Sequence, residues 1–333
     1  MDKRTFSSLG RIGAIEQLYE GTTFKAFTEG TFESSSKEHI TTSSVLFQEG
    51  TDFDLVYFPL KHLGYKCVVA VSGELYASLA HPQTLDIRLG ISSKLDFPQI
   101  KELFDGMATA AREHGYKSIG LDLFPSKNGL CIAISATGRI SDLTRKRRPA
   151  PKSMDLVCVS GNLGAAFLGL QLLEREKRKF TASGEDSSRK SLESYKLLVG
   201  AYLKPSLEPS VVHFLEETEI IPSSGCFITR GLADAVKRIA RSSALGVKIY
   251  VDKIPFAGRT FDLGKEFDID PVSAAMNGGE DYRLLFTVPI NRAEDFRRDF
   301  QTFDIIGHLA HSDVGTVLVT PDGLEHPITA QGW

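Results

Sequence analysis

The spacing of apolar residues predicts alternating helices and strands in the first half of the chain. Apolar residues lie close together over 63–79, which predicts a buried helix between Pro59 and Pro82. A helical spacing also covers 100–111, and Gly115 follows it where helices commonly end with a left-handed residue. Apolar runs at 84–91, 118–123 and 130–137 predict strands.

The second half continues the mixture of helices and strands. An apolar run at 155–160 predicts a buried strand, and a helix follows over 163–173. Polar residues over 177–194 predict the end of that helix and a mobile surface loop. Further helices are predicted at 211–217, at 232–241 with Thr229 as the N-cap, and at 293–303. Further strands are predicted at 247–251, 284–288, 305–309 and 316–320. This irregular order favours two α+β domains over one doubly wound parallel sheet.

A basic run marks the predicted boundary between the domains. Residues 145–148 are Arg-Lys-Arg-Arg, and Pro149 and Pro151 follow them. Proline continues neither a helix nor a central strand, so the run suits an exposed connection. The chain of 333 residues is long enough for two cores. We therefore predict domains at 1–148 and 149–333.

Composition and charge exclude several classes of protein. Lys and Arg number 39 against 42 Asp and Glu, so the net charge of −3 argues against coating nucleic acid or an anionic membrane. The longest apolar stretch, 67–71, is far shorter than a membrane span, and the first residues lack an apolar secretory signal. Four cysteines without a C-x-x-C pair argue against structural zinc and a disulfide framework. These features predict a cytoplasmic protein that acts on neither membrane nor nucleic acid.

Two glycine-containing segments are candidates for chemistry. Residues 160–164, Ser-Gly-Asn-Leu-Gly, stand between a predicted strand and a helix, where free N–H groups favour a phosphate. A tight turn without a ligand explains them about equally well. Residues 277–282, Asn-Gly-Gly-Glu-Asp-Tyr, precede a strand and could present backbone and charge to a substrate. On composition alone, a solvated turn is the better interpretation of this second segment.

At these residues the sequence resembles the thiamine-monophosphate kinase family of the aminoimidazole-ribonucleotide-synthetase-like superfamily. Residues 277–286 resemble its Gly-Gly-Glu-Asp-Tyr signature, and 160–164 resemble its Ser-Gly-Asp-Leu-Gly turn. Residues 49–55 and 59–66 resemble its Glu-Gly-Val-His-Phe segment and the start of its first long helix. The C-terminal residues 330–333 are similar to its aromatic end, so the resemblance covers 43–333.

The resemblance implies a fold and a reaction. The fold is a two-domain α+β architecture in which the N-terminal sheets of two subunits pair across a homodimer. Domain 1–148 then carries dimerisation and the nucleotide side, and domain 149–333 carries the phosphate turn and the substrate side. The reaction converts ATP and thiamine monophosphate into ADP and thiamine diphosphate, with Mg²⁺ ions held by Asp residues.

Most acids that the family uses for Mg²⁺ are replaced in this sequence. The resemblance places Gly73, Asn162, Phe227 and Arg230 where the family has Asp. The Asp expected before residue 49 falls on Val45, and 31–39 lack the family's Gly-Asp-Asp segment. One acid of the Gly-Gly-Asp-Thr motif remains, as Asp122. Metal binding is therefore expected to be weakened.

The resemblance assigns the candidate site residues. The nucleotide and phosphate group comprises Ser160, Gly161, Asn162, Gly164 and Arg230; the substrate group comprises Asp52, Glu280, Asp281 and Trp333; the metal residue is Asp122. For Arg230, replacement of a metal by a direct phosphate contact and simple solvation at a helix start weigh evenly.

Two function hypotheses follow. The favoured one is an impaired homologue, a pseudoenzyme that keeps the scaffold and a ligand- or partner-binding role, because losing several metal ligands removes electrostatic stabilisation of the reaction. The alternative is an active ATP-dependent thiamine-phosphate kinase with a rebuilt phosphate site. In either case the expected partners are a nucleotide, thiamine monophosphate and a second copy of the chain.

Overall fold

Two β-sheets organise the chain, and the strands of each sheet come from one part of the sequence. The computed structural model describes residues 31–33, 39–183 and 188–330. Trp333 and most of the segment 31–39 lie outside the described residues. The predicted α+β class is confirmed.

The first sheet is built from residues before 141. The elements of this part are β1 (Thr31–Glu33), β2 (Ile40–Gln48), α1 (Leu60–Ala77), β3 (Ala80–Ser92), α2 (Phe97–Glu113), β4 (Ser118–Ser126), β5 (Cys131–Ile140) and the short α3 (Asp142–Arg147). Its strands lie in the order β1-β2-β5-β3-β4. Neighbours are antiparallel except β3 and β4, which are parallel. Helix α1 packs against one face, and we call the other the open face.

The second sheet is built from residues after 155. The elements are β6 (Leu156–Ser160), α4 (Ala165–Ser183), α5 (Ser188–Ser194), α6 (Lys196–Leu203), α7 (Val211–Glu217), β7 (Ser224–Ile228), α8 (Leu232–Ser243), β8 (Gly246–Tyr250), α9 (Thr260–Phe267), α10 (Pro271–Asn277), β9 (Arg283–Val288), α11 (Ala293–Asp299), β10 (Phe303–Ala310), β11 (Thr316–Val319) and β12 (Glu325–Pro327). The strand order is β12-β11-β8-β10-β6-β9-β7. Only β8 and β11 pair in parallel among these strands. The boundary at 148 and 149 stays a prediction.

Helix α1 joins the two halves of the molecule because it contacts both sheets. It packs on strands of the first sheet and also on β7 and β9 of the second. Its residues from Leu63 to Ala77 are buried, although charged residues interrupt the apolar run. Two glycines bring α1 close to α2, since a Cβ atom at Gly64 or Gly106 would overlap the backbone of the facing helix. None of the described helices is long and apolar enough to cross a membrane.

Several predicted elements are confirmed, and others need correction. The helices at 63–79 and 100–111 form as α1 and α2, and Gly115 has a φ of +75°. Pro82 does not bound α1 but lies inside β3, where the pairing with β5 shifts register. The prediction over 177–194 is correct in that α4 ends within this range, at Ser183, but wrong in that α5 forms from Ser188 to Ser194 where a loop was predicted.

Two helix ends also differ from the prediction. The N-cap of α8 is Gly231, not Thr229. Gly231 has a φ of +94°, and a Cβ atom there would overlap the backbone of Met276, so the close approach of α10 requires glycine. The helix predicted over 293–303 ends at Asp299, and Phe303 begins β10. The rings of Phe296 and Phe300 stack and Phe303 packs edge to face against both, so the helical spacing reflects an aromatic cluster and not one continuous helix.

Candidate functional site

The Gly-Gly-Glu-Asp-Tyr segment folds into a tight left-handed turn beside β7. Gly279, Glu280 and Tyr282 have φ values of +78°, +61° and +50°. The N–H groups of Glu280 and Tyr282 donate to the carbonyl oxygens of Thr229 and Ile228 at 2.9 and 3.0 Å. Left-handed backbone is costly for residues with a side chain and persists where the surroundings impose it. The solvated turn is therefore the wrong interpretation, since Asp281 and Tyr282 are buried as well.

Asp281 connects this segment to the predicted phosphate turn. Its carboxylate accepts hydrogen bonds from the N–H groups of Gly164 and Ala166 at 2.8 and 3.2 Å. It thus occupies the electropositive start of α4, where a phosphate was expected. Burial raises the pKa of Asp281 to about 7, although these two hydrogen bonds favour its charged form. The N–H group of Gly164 is engaged with protein in this arrangement.

The turn 160–164 is held by residues that follow the same segment. The hydroxyl of Ser160 accepts a hydrogen bond from the N–H of Leu284 at 2.8 Å. Arg283 donates from Nε to the carbonyl oxygen of Asn162 at 3.3 Å. Gly161 has a φ of +78°, and the side chain of Asn162 is exposed. The structure therefore brings together two motifs that are more than a hundred residues apart.

A buried lysine on α1 pairs with the same segment. Lys66 is 1% exposed, forms a short ion pair with Glu280, and donates to the carbonyl oxygen of Tyr202 at 2.9 Å. Its Nζ lies 3.7 Å from the ring centroid of Tyr202, 5.2 Å from that of Phe58 and 5.5 Å from that of Tyr282. Burial lowers the pKa of Lys66, and Glu280 opposes that shift. We call these five residues the Lys66 centre.

Asp52 lies at the edge of the Lys66 centre. Its carboxylate accepts a hydrogen bond from the N–H of Gln48 at 2.7 Å, and its carbonyl oxygen accepts one from the hydroxyl of Tyr202 at 3.2 Å. The same loop contacts α4, where Tyr57 donates to Glu174 at 2.6 Å. Asp52 and Glu280 thus reach one centre, where both have structural partners. Their role on a substrate side stays a prediction.

Two positions where the family resemblance implies acids face each other across an apolar contact. Gly73 on α1 and Phe227 on β7 lie so close that a Cβ atom at Gly73 would overlap the phenyl ring. The Phe227 side chain is fully buried, and its ring centroid lies 5.5 Å from that of Tyr282. The ring therefore occupies the space that side chains at both positions would share.

Arg230 lies beside the Gly-Gly-Glu-Asp-Tyr segment. A Cβ atom at Gly279 would lie 3.4 Å from the Arg230 Cα atom. Arg230 is exposed, and no hydrogen bond or ion pair joins its guanidinium to another of the described residues. A cation without a partner at this place has its donors available to an anionic ligand.

Asp122 and Trp333 are not brought to the Lys66 centre. Asp122 lies on β4 opposite Arg88, its side chain is 67% exposed, and its carboxylate is 3.9 Å from Arg88 Nε. Arg88 also pairs with Asp86 at 3.0 Å, so this acid belongs to an exposed cluster on the open face. Trp333 lies outside the described residues.

The residues present do not fit a site with several Mg²⁺ ions. Across residues 31–33, 39–183 and 188–330, no three His, Cys, Asp or Glu side chains form a group suited to a metal ion. Where the family resemblance implies acids, the chain has Gly73, Phe227 and the cation Arg230. Mg²⁺ requires oxygen ligands, which a phenyl ring and a guanidinium do not supply.

Sequence reasoning missed Lys66. The signal was present, because a single lysine in the apolar run 63–71 is unusual for a residue type that is rarely fully buried. Such a lysine needs a buried acid or carbonyl oxygen as a partner. The partners, Glu280 and Tyr202, are distant in sequence, which is why only the fold reveals the pair.

Comparison with known proteins identifies relatives of similar length. No family model matches the chain. The thiamine-monophosphate kinase of Aquifex aeolicus is 24% identical over 291 residues, covering 86% of this chain and 89% of that protein. The enzyme of Pyrococcus horikoshii is 27% identical over 270 residues, covering 81% of this chain and 78% of that protein.

The fold agrees with these relatives. AaThiL, solved in complex with AMPPCP and TMP, superimposes with a TM-score of 0.80 at 21% identity, covering 100% of this chain and 99% of that chain. The resemblance stated from the motifs is thereby confirmed along most of the sequence. Over most of its length the chain is thus similar in sequence to thiamine-monophosphate kinases, and it shares the fold of AaThiL.

Proposed function

We propose that this protein is a catalytically impaired homologue of the thiamine-monophosphate kinases that binds a ligand or partner on the retained scaffold. The contact between Gly73 and Phe227 carries this proposal. Phosphoryl transfer depends on positive charge that neutralises the transferring group. At two positions where the family resemblance implies metal-binding acids, this chain has no side chain and a buried phenyl ring. The ring supplies no charge and fills the space.

The ligand class follows from the surroundings of Arg230. The related AaThiL was solved with AMPPCP and TMP, so a nucleoside triphosphate and thiamine monophosphate are the ligands to examine. Arg230 is an exposed cation next to Gly279, and the Asn162 side chain is exposed at the neighbouring turn. We propose that phosphate oxygens bind Arg230 directly, without a bridging metal ion.

The alternative is an active kinase with a rebuilt phosphate site. Arg230 is the observation that favours it, because a guanidinium can neutralise part of the charge on a transferring phosphoryl group. In that case the phosphoryl group would pass from ATP to the phosphate of thiamine monophosphate, and ADP would leave. The two candidates therefore differ in turnover and agree on phosphate binding.

A single-turnover assay separates these candidates. The protein, in excess over labelled ATP, is incubated with Mg²⁺ and thiamine monophosphate, and thiamine diphosphate is measured. We expect no product. Product that disappears in Asp122→Ala and Arg230→Gln would show a working kinase and contradict the proposal.

Binding of ATP tests the role of Arg230. Calorimetric titration in Mg²⁺ and in EDTA should give affinities within about twofold of each other, and Arg230→Gln should weaken binding roughly tenfold, the scale of one charge-assisted hydrogen bond. Arg298→Gln is the matched control, because Arg298 is an exposed arginine on α11. Equal losses in both variants would indicate nonspecific attraction.

We also propose a homodimer through the first sheet. Strand β4 lies at the edge of that sheet, and Leu121, Leu123 and Phe124 on it are 43%, 52% and 43% exposed. An exposed apolar edge strand readily pairs with another chain. Sedimentation should show a dimer that Leu123→Asp dissociates, whereas Phe261→Asp, at another exposed apolar residue, leaves it intact. A monomeric wild-type protein would refute this arrangement.

A further inference from the structure

A cavity of about 420 Å³ lies between the connection that follows α3 and the end of β9. The residues that line it lie within 147–155, 219–221 and 289–292. This volume falls in the range of small-molecule sites in proteins. None of the lining residues belongs to the Lys66 centre or to the residues predicted for nucleotide, substrate or metal.

Asp155 is the buried acid of this cavity. It is 4% exposed, and its Oδ2 atom accepts hydrogen bonds from the N–H of Lys152 at 3.0 Å and from the hydroxyl of Ser223 at 2.8 Å. Its Oδ1 atom accepts no hydrogen bond from the described residues, and none of their cations pairs with the carboxylate. A buried carboxylate without a cationic partner is costly, so a bound cationic donor would remove part of that cost.

Lys152 is a cation of the same lining without an acidic partner. It is exposed, and no hydrogen bond or ion pair joins its amine to another of the described residues. The acid Asp155 is only three positions away and has the opposite charge, yet the two side chains do not pair. Both line the cavity, so a ligand there has an acid and an amine available to it.

The other charges of the lining are engaged with the protein. Arg147 forms an ion pair with Glu219. Arg292 pairs with Asp295 at 3.2 Å and donates to two backbone carbonyl oxygens at 3.1 and 3.3 Å. Arg148, the next residue along the connection, lines a separate cavity. One acid and one amine therefore remain for a ligand.

We propose that this cavity binds a free α-amino acid with an apolar side chain. The ammonium group donates to the Asp155 carboxylate, and the carboxylate group pairs with the amine of Lys152, whose flexible stem adapts to its position. Ile221 and Ile290, which are 5% and 50% exposed, provide apolar contact for the side chain of the ligand. An inorganic cation or anion alone would compensate only one of the two charges.

Calorimetric titration of the full chain with L-leucine tests the proposal. At constant ionic strength we expect saturable binding at one site, with a Kd of about 1 mM or tighter. Two analogues separate the charges, because 3-methylbutylamine lacks the carboxylate group and 4-methylpentanoate lacks the ammonium group. Each should bind at least roughly tenfold more weakly than leucine, since each leaves one charge of the cavity without a partner.

Substitution of Lys152 tests the assignment of the two charges. Lys152→Gln should weaken leucine binding roughly tenfold and leave the affinity for 3-methylbutylamine unchanged within about twofold. Lys127→Gln is the matched control, because Lys127 is an exposed lysine between β4 and β5, and it should change neither affinity. Asp155→Asn should weaken the binding of both ligands, with the melting temperature as a check of folding. Because Lys152 is exposed, its test does not depend on the core.

Two further titrations define the ligand and the place where it binds. Glycine should bind at least roughly tenfold more weakly than leucine, because it has no side chain to contact the isoleucines. Saturating ATP should leave leucine affinity unchanged within about twofold, which separates this cavity from the proposed ATP site. Absence of saturable leucine binding, wild-type affinity in Lys152→Gln, equal losses in Lys152→Gln and Lys127→Gln, or competition by ATP would overturn the proposal. An affinity for glycine or for 3-methylbutylamine equal to that for leucine would also contradict it.

Discussion

Charged side chains contact one another in two regions of this molecule, one buried and one exposed to water. In the Lys66 centre, Lys66 is 1% exposed and each charge is fixed by a buried partner or an aromatic ring. On the open face of the first sheet, Asp86, Arg88 and Asp122 have side chains that are 45% to 67% exposed. Coulomb attraction is strong where water is excluded and weak where water screens it. The two regions should therefore respond very differently to substitution.

The comparison also separates the candidate site residues. Glu280 and Asp281 belong to the buried region, where their side chains hold α1 and α4 in place. Asp122 belongs to the exposed region, where its contact with the cation Arg88 is long and therefore weak. The acids of the Gly-Gly-Glu-Asp-Tyr segment thus have a structural role in the buried region. On the open face, no comparable structural role explains the presence of Asp122.

The largest loss of stability is expected when a charged side chain is introduced into the buried region. Gly73→Asp places a carboxylate against the Phe227 ring, so it combines overpacking with an unpaired buried charge. We expect a loss of about 3–5 kcal/mol in the free energy of unfolding, measured by urea denaturation.

Replacement of Phe227 in the same variant should restore part of the lost stability. In Gly73→Asp combined with Phe227→Asp the overlap disappears, and Mg²⁺ can then neutralise the two acids if the older geometry persists. Stability that rises with Mg²⁺ in the double variant, and not in either single variant, would show that the metal site was lost through these two positions. Additive single effects would contradict a direct contact.

A smaller loss is expected when the buried pair is broken. Lys66→Met removes the cation and leaves Glu280 partly exposed at 26%, so water compensates for some of the loss. We expect about 2–3 kcal/mol, the range for hydrogen bonds to charged groups. Lys66→Met combined with Glu280→Gln should be more stable than Lys66→Met alone. No difference between the two variants would mean that the pair is not coupled.

Asp281 should make stability depend on pH. Its pKa is about 7 in the folded protein and 3.8 in the reference state, so it contributes stability that is complete below pH 3.8 and is lost as pH rises through about 7. Asp281→Asn should flatten the fall in melting temperature between pH 5 and 8. At pH 5 it should cost about 1 kcal/mol, since one helix N–H loses its acceptor.

Asp270→Asn is the control for this pH dependence. Asp270 caps α10 by accepting a hydrogen bond from the N–H of Ser273 at 2.8 Å, and it is exposed. Its substitution measures the cost of replacing an exposed helix cap, and the pH profile of Asp281→Asn is compared with it. A pH profile of Asp281→Asn parallel to that of the wild type would show that Asp281 does not titrate there.

The smallest effect is expected on the open face. Asp122→Asn should change the free energy of unfolding by no more than about 0.5 kcal/mol, because the Arg88 contact is long and exposed. Chemical denaturation of the two proteins in parallel measures this difference. A loss above about 2 kcal/mol would show that the open face is buried in solution, as pairing with a second copy would require.

Local patterns predicted much of the fold. Helices α1 and α2 have dense apolar spacing and clear ends, and both formed where expected. Predictions failed where a distant contact decides the conformation. Gly231 caps α8 because α10 approaches it, and α4 continues through a polar stretch in which Lys177 pairs with the distant Asp54. Strands β2 and β7 were not predicted from their own sequences. Their conformation depends on pairing with β5 and β9, which are distant in the chain.

The candidate site was predictable only in its motifs. The turn 160–164 and the segment 277–282 were recognised from sequence, and the structure joins them through Asp281 and Ser160. The sequence did not reveal that Asp281 would satisfy the N–H groups expected for phosphate. Lys66, Tyr202 and the Glu74–Arg238 pair were missed because each depends on residues more than a hundred positions apart.

The position of helix α1 limits which segments can be exchanged between related proteins in a chimera. Helix α1 packs on strands of both sheets, so its buried residues must fit both halves of the chain. A chimera whose α1 has a side chain at position 73 would bring that side chain against the ring of Phe227. We therefore expect such a chimera to be more stable when β7, which carries Phe227, is exchanged together with α1.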